Sequence, residues 1–224
     1  MRISRAFLAA TLAGILTLGA VSPAMAADPS DEGAVVMMTK IDGVLRPVDL
    51  ELQESASLDL EATPAMDPDS MSASLIDFTQ WVSCFTLNNA DDEFQLYTWF
   101  WNGTPKDIRL KCGTDGWGYK HIRNGHQSGW QATLNSARAA GWNTGSIATS
   151  GSWDDLMSAA VSNAIAWGDF VGGNALNNTT CANSAVLFVN SATGAVVYEF
   201  NVTAVWANDS DRLITAYKTS SSVC

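Results

Sequence analysis

The sequence predicts an α+β fold, with N-terminal strands, two helices and a C-terminal three-stranded antiparallel meander. Three observations predict it. Apolar residues alternate with a period of two in "FQLYTWFW" (94–101) and "DIRLKC" (107–112). The period changes to that of a helix through Trp130, Leu134 and Ala137, and again from Trp153 to Ile165. Alternation then returns in "VVYEFNVTAVW" (196–206).

Taken in order, the chain opens with MRISR and an apolar run, Ala6 to Val21, that ends at Ala24-Met25-Ala26. A charged start, an apolar core and an A-x-A exit predict a signal peptide over 1–27 and hence a secreted protein. Residues 28–75 read as an acidic, largely disordered leader. From Asp28 to Asp77 there are twelve acids against Lys40 and Arg46, and no Phe, Tyr, Trp or Cys. Such a segment has little apolar surface to offset its ordering entropy. Within it, "VVMMTKIDGVLRPVDL" is suited to a hairpin around Asp42-Gly43. The aromatic-rich remainder, 76–224, is long enough for one compact domain, expected to be monomeric. No later stretch is apolar enough to span a bilayer.

The domain begins with an expected strand, "DFTQWVSCFTL" (77–87), beside a hairpin whose turn is "NGTPKD". Ile108, Leu110 and Cys112 share one face, with Arg109 and Lys111 on the other. A helix carrying Trp130 stops at Gly141. The next starts with Ser152 and Asp155 in a capping-box pattern, bears an apolar stripe from Trp153 to Ile165, and ends at Gly168. In the meander, "AVLFVN", "VVYEFNVTAVW" and "RLITAYK" are joined by "SATG" and "NDSD". Val196, Tyr198, Phe200, Val202, Ala204 and Trp206 share one face, expected to be buried, and Glu199, Asn201 and Thr203 share the other, expected to be exposed. Four cysteines, Cys84, Cys112, Cys181 and Cys224, predict two disulfides in an oxidising compartment. Three pairings are open, and a direct Cys181–Cys224 bridge requires the tail to fold back. The wide spacings without a CxxC pair argue against zinc, so no metal or other cofactor is expected.

The chemistry-bearing stretch is "GYKHIRNGHQSGW" (118–130), which holds the only two histidines, His121 and His126. Imidazole gains and loses a proton near neutral pH, so two of them can divide phosphodiester cleavage between a base and an acid. Such a site also needs cations for the charge that builds on the phosphoryl oxygens. Five of the eight bases after Asp77 lie between Lys106 and Arg123, among them Arg109, Lys111 and Lys120. On one helix, a five-residue spacing turns the histidines about 140° apart. Asn124-Gly125 is a turn signal that would end a short helix after His121 and bring His126 back from another direction. Otherwise one histidine is catalytic and the other structural. Trp117, Tyr119 and Trp130 are candidates either for base stacking or for the core.

The order "WGYKHIRNGHQSGWQ", a helix, then a meander ending "RLITAYKTS" resembles the barnase–EndoU–colicin–RelE-like ribonuclease superfamily. It is closer still to small exported actinobacterial proteins with a C-G-x-x-x-W-G-Y-x-H-I-x-x-x-H core. The resemblance runs from Cys112 to the C-terminus. It implies metal-independent RNA cleavage, with His121, His126 and Thr215 as catalytic residues. It adds Arg212 and Lys218 as substrate-binding residues to Lys120, Arg123, Arg109 and Lys111, which the clustering of bases points to. The usual second element is Arg-His, whereas here Gly125 precedes His126. RNA is the implied partner, and a toxin-like reading admits a cognate immunity protein. A non-catalytic extracellular binding module on the same scaffold is the competing expectation.

Overall fold

The computed structural model describes residues 33–48, 75–101, 104–143 and 151–224. The expected signal peptide, and the leader apart from 33–48 and Leu75, lie outside them. The chain is α+β, with antiparallel strands, three helices and two disulfides.

The sheet begins earlier in the chain than the composition suggests. Strands β1 (Val35–Ile41) and β2 (Val44–Pro47) form the expected hairpin. Asp42 and Gly43 both take positive φ, 51° and 80°, as a two-residue type I′ turn requires. The hairpin is not part of a detached leader. β1 pairs antiparallel with β6 (Thr179–Asn190) from Val35↔Asn190 to Thr39↔Val186, and buries Val35, Met37 and Thr39. The buried Thr39 hydroxyl accepts from Asn163 Nδ2 at 2.8 Å, and the same amide donates to Ser184 Oγ at 2.8 Å. A domain boundary at residue 76 therefore falls too late: the hairpin was legible, but its pairing with β6 leaves no local signal in an acidic segment without aromatics.

The segment 77–87, expected as a strand, is helical. Asp77 accepts from Gln80 N at 2.7 Å and Gln80 Oε1 accepts from Asp77 N at 3.1 Å, a closed capping box. The single turn α1 (Phe78–Trp81) runs into a π-helical turn, Val82–Thr86. Phe78, Trp81, Val82 and Phe85 stand at helical spacing, and that period prevails over the apparent alternation. The expected hairpin follows as β3 (Glu93–Trp101) and β4 (Thr104–Lys111), a separate two-stranded sheet with Ile108 and Leu110 fully buried.

Helices α2 (Gly118–Ala139) and α3 (Trp153–Trp167) come next. α2 is a continuous 22-residue helix, so Asn124-Gly125 does not break it. A turn-prone pair is overridden when the helix on both sides packs through Ile122, Trp130, Leu134 and Ala137. Gly141, at φ 96°, stops the chain after it. α3 has its expected capping box between Ser152 and Asp155 and is buried on nearly every side. The sheet, β3 and α2 all pack on it. Its polar residues are paired within the core, Ser158 with Tyr97 Oη at 3.1 Å and Asn163 as above.

The meander of β6, β7 (Val196–Ala207) and β8 (Leu213–Thr219) is antiparallel, but it belongs to a six-stranded sheet. The order is β2-β1-β6-β7-β8, and β5 (Phe170–Asn174) pairs with the first half of β6. β6 starts six residues before "AVLFVN", so Cys181 lies inside it, level with Val205. β8 ends at Thr219, level with Asn201 and hence with Ala185. The tail then folds back, with Asn183 Nδ2 donating to Ser221 O at 3.2 Å, and Cys224 reaches Cys181. The second bridge is Cys84–Cys112. The cysteine pairs are 28 and 43 residues apart in sequence. Closing loops of that length removes unfolded-chain entropy worth roughly 3.5–4 kcal/mol each. Among the described residues no helix is long and apolar enough to cross a membrane.

A chain begun at Ile76 should be much less stable than one begun at Gly33. It would expose the β6 edge over Val186–Asn190 and leave Asn163 short of one partner, at about 1–3 kcal/mol for the unmet group alone. Thermal unfolding by circular dichroism reads the difference. Equal melting temperatures would place β1 outside the cooperative unit.

Candidate active site

The loop from Cys112 to Gly118 decides where the first histidine points. Gly113 and Gly118 hold φ at 71° and 77°. A Cβ on Gly113 would stand 2.1 Å from Trp117 O, and one on Gly118 would stand 2.7 Å from Lys111 O. Only glycine fits either position. Thr114 N donates to Trp117 O at 2.8 Å and closes the loop, while Lys120 N donates to Cys112 O at 3.0 Å. Asp115 at the loop's tip then faces the first turns of α2. Its carboxylate accepts from Asn124 Nδ2 at 2.8 Å, and its backbone carbonyl lies 2.7 Å from His121 Nδ1.

That last contact fixes a tautomer. A carbonyl oxygen can only accept, so Nδ1 carries a proton and Nε2 is the nitrogen left to give or take one. His126 lies close by. The two ring centroids are 5.8 Å apart at 80°, and His126 lies 5.2 Å from Tyr217 of β8. The helix points the two Cα–Cβ bonds well apart. The imidazoles nonetheless converge, so no helix break is needed to bring them together.

β8 and the turn before it supply the other wall. The Arg212 guanidinium stacks 4.6 Å over Trp117, and its buried Nε has no hydrogen-bond partner among the described residues. Thr215 Oγ1 is also buried and unpartnered. From Arg212 against Trp117 to Tyr217 against His126, β8 and the start of α2 run alongside each other in the same direction. Thr215 lies between these two contacts along the strand.

The remaining predicted cations are elsewhere and engaged. Lys120 Nζ is 2.5 Å from Asn88 Oδ1 and sits over Phe85. Arg123 stacks 4.3 Å from Trp81 and 4.9 Å from Phe85. Arg109 pairs with Glu93 at 2.9 Å and Lys111 with Asp91 at 3.1 Å. Lys218 lies by the Tyr198 hydroxyl at 3.4 Å and lines a separate cavity of about 330 Å³ with Glu199. Neighbouring positions in the sequence thus diverge around the helix, with Lys120 and Arg123 toward α1 and the histidines toward β8. Of the aromatic candidates, Tyr119 and Trp130 are core. Tyr119 donates to the buried Asp154 carboxylate at 2.9 Å, and burial together with that charge drives its pKa far above the usual range. Trp130 Nε1 donates to Ala216 O at 3.1 Å. Trp117 is the half-exposed one.

Sequence reasoning missed Asp115, because its contact to His121 comes from the backbone and leaves no side-chain signature. The paired glycines were the available signal for a tight loop there. Among the described residues no three His, Cys, Asp or Glu side chains gather as a metal-binding group.

Burial, and then the charge of His121, lower the His126 pKa from its ordinary 6.5. The folded state therefore binds this proton less readily than the unfolded chain. Its effect on stability is absent above 6.5 and grows as pH falls from 6.5 to the lowered value. His126→Gln should flatten the decline of folding stability over that window, measured by urea unfolding at a series of pH values. An unchanged slope would show that His126 titrates as a free imidazole.

No family model, curated protein or solved structure matches the chain, so the site is read from its own residues.

Proposed function

We propose that the domain is an exported, toxin-like endoribonuclease that cleaves RNA without a metal ion and leaves 2′,3′-cyclic phosphate ends. The observation that carries this reading is the histidine pair, 5.8 Å between ring centroids, with one nitrogen of His121 held by the Asp115 carbonyl. A phosphoryl group seated against the open edge of the pair would have an imidazole nitrogen of each ring to bind. His126, kept neutral, takes the proton of the ribose 2′-hydroxyl as that oxygen attacks phosphorus. The bond from phosphorus to the 5′-oxygen breaks, and His121, protonated on Nε2, gives that oxygen its proton.

The charge on the non-bridging oxygens falls to Arg212. Its guanidinium forms no ion pair among the described residues, unlike Arg109 and Lys111. Trp117 under Arg212 and Tyr217 beside His126 offer flat faces to bases. Thr215 adds a buried hydroxyl on the same strand.

The test incubates the oxidised protein with total RNA in EDTA and assays for cyclic-phosphate ends. His121→Ala should abolish cleavage without lowering stability, and His126→Ala should slow it by about two to four orders of magnitude. Arg212→Ala should cost about two to three orders. Lys120→Ala, on the far side of the helix, should leave the rate within about threefold. The rate should fall at acid pH through the lowered His126 pKa, so the acid limb lies below 6.5. No cleavage by a correctly folded protein would favour the binding-module reading.

A further inference from the structure

A well-formed concavity lies away from the histidines. It has a volume of about 610 Å³ and opens where the β3–β4 hairpin meets β5, the start of β6 and the β7–β8 turn. That size is ordinary for a small-ligand site. From its lining we infer that it holds one ring of a neutral glycan, a function beyond the proposed RNA cleavage and independent of it.

Charge is excluded first. Lys106, the one charged residue among the described residues of the lining, has its ammonium 2.6 Å from Asp211 and donates to Asn208 O at 3.3 Å. An anionic ligand would have to break that pair, so the site favours an uncharged occupant. The flat apolar surface comes from the Trp99 indole, Val171 and the Lys106 stem. The Trp99 ring is held near-perpendicular to Trp206 at 5.1 Å. Hydroxyl and amide groups of Thr104, Thr180 and Asn208 supply the polar edge. Thr180 donates to Asn208 Oδ1 at 2.7 Å, leaving its own lone pairs to accept. A flat apolar face with hydroxyl-binding groups at its edge, and no free charge, complements a sugar ring.

The glycines of β5 give an independent indication. Gly173 has no positive φ, and a Cβ there would meet nothing closer than Thr179 O at 3.9 Å. At Gly172 the only clash is with the side chain of Phe170 in the same strand, at 2.8 Å. Neither the backbone nor packing against other elements calls for glycine here. Glycine inside a strand otherwise weakens it and often marks the close approach of another molecule. Gly173, two residues from Val171 and level with Thr180, shares the face of both lining residues and keeps that wall of the cavity bare.

The full oxidised chain would be titrated with cellotetraose, maltotetraose and chitotetraose, followed by calorimetry and tryptophan fluorescence. At least one should bind, with Kd of about 10 µM to 1 mM, and with affinity unchanged by added salt. Gly173→Leu should reduce that affinity at least about tenfold by filling the wall. Thr180→Val with Asn208→Ala, which removes both partners of one hydrogen bond and so spares the fold, should do the same. The pair variant decides the matter if Gly173→Leu does not fold. Three results would each overturn the inference: no binding at about 10 mM sugar, binding indifferent to both variants, or uptake of 1-octanol where no sugar binds.

Discussion

Two glycines that cannot be anything else hold the histidine site together. Gly113 and Gly118 let the chain close the Cys112–Gly118 loop so tightly that any side chain at either position would overlap a backbone oxygen. Three placements depend on that closure. Trp117 is set as the N-cap of α2, under Arg212. Asp115 is set with its carbonyl against His121. The Cys84–Cys112 bridge then ties the loop's base to the π-helical turn, which holds Phe85 against Tyr119. Substituting either glycine would shift the helix start and so every group that defines the site.

This anchoring sorts the charges as well. The side of α2 that faces α1 carries Lys120 and Arg123, each over an aromatic ring and so more structural than free. On the other side, Arg212 is desolvated at Nε without an anion to match it. In a chain of net charge −11, a guanidinium that forms no ion pair among the described residues, on the strand that also carries Tyr217 against His126, is a specific arrangement. The general field disfavours a polyanion, so recognition of a phosphate at this place would have to be short-range and local.

Much of the fold was legible because the patterns were strong. The capping box of Ser152 and Asp155, the alternation of β7 and the Asp42-Gly43 turn each have a local cause that tertiary structure did not override. What was not legible had a competing signal or none. The 77–87 segment carries both a two-residue and a helical period, and the Asp77–Gln80 box tips it to helix. The Val35 strand was legible as half of a hairpin, but its place on the β6 edge was not, because a long-range pairing leaves no local pattern. For the site, the histidines and Arg212 were readable as residue types, but clustering of bases in the sequence misled. Arg109 and Lys111 lie on a strand whose exposed face meets Glu93 and Asp91, a pairing set by register and invisible to spacing. Asp115 acts through its backbone, which no side-chain pattern records.

The histidine site and the cavity meet at one turn, Asn208 to Arg212, and this raises the question of whether they are coupled. Asn208 lines the cavity, and Arg212 faces Trp117. Between them Asp211, at φ 54°, neutralises Lys106 with its carboxylate and accepts from Arg109 N at 2.7 Å with its carbonyl. Asn208 N donates to Asn178 O at 3.0 Å and Ala207 N to Arg212 O at 3.1 Å. Coupling requires an element with two arrangements that both ligands bias differently. This turn is held by backbone hydrogen bonds to β4 and to the β5–β6 connection, and a group fixed on two sides has one arrangement to offer. Nearness alone therefore gives no allostery. Occupancy of the cavity and of the histidine site should add as independent free energies, with the turn acting as a shared wall.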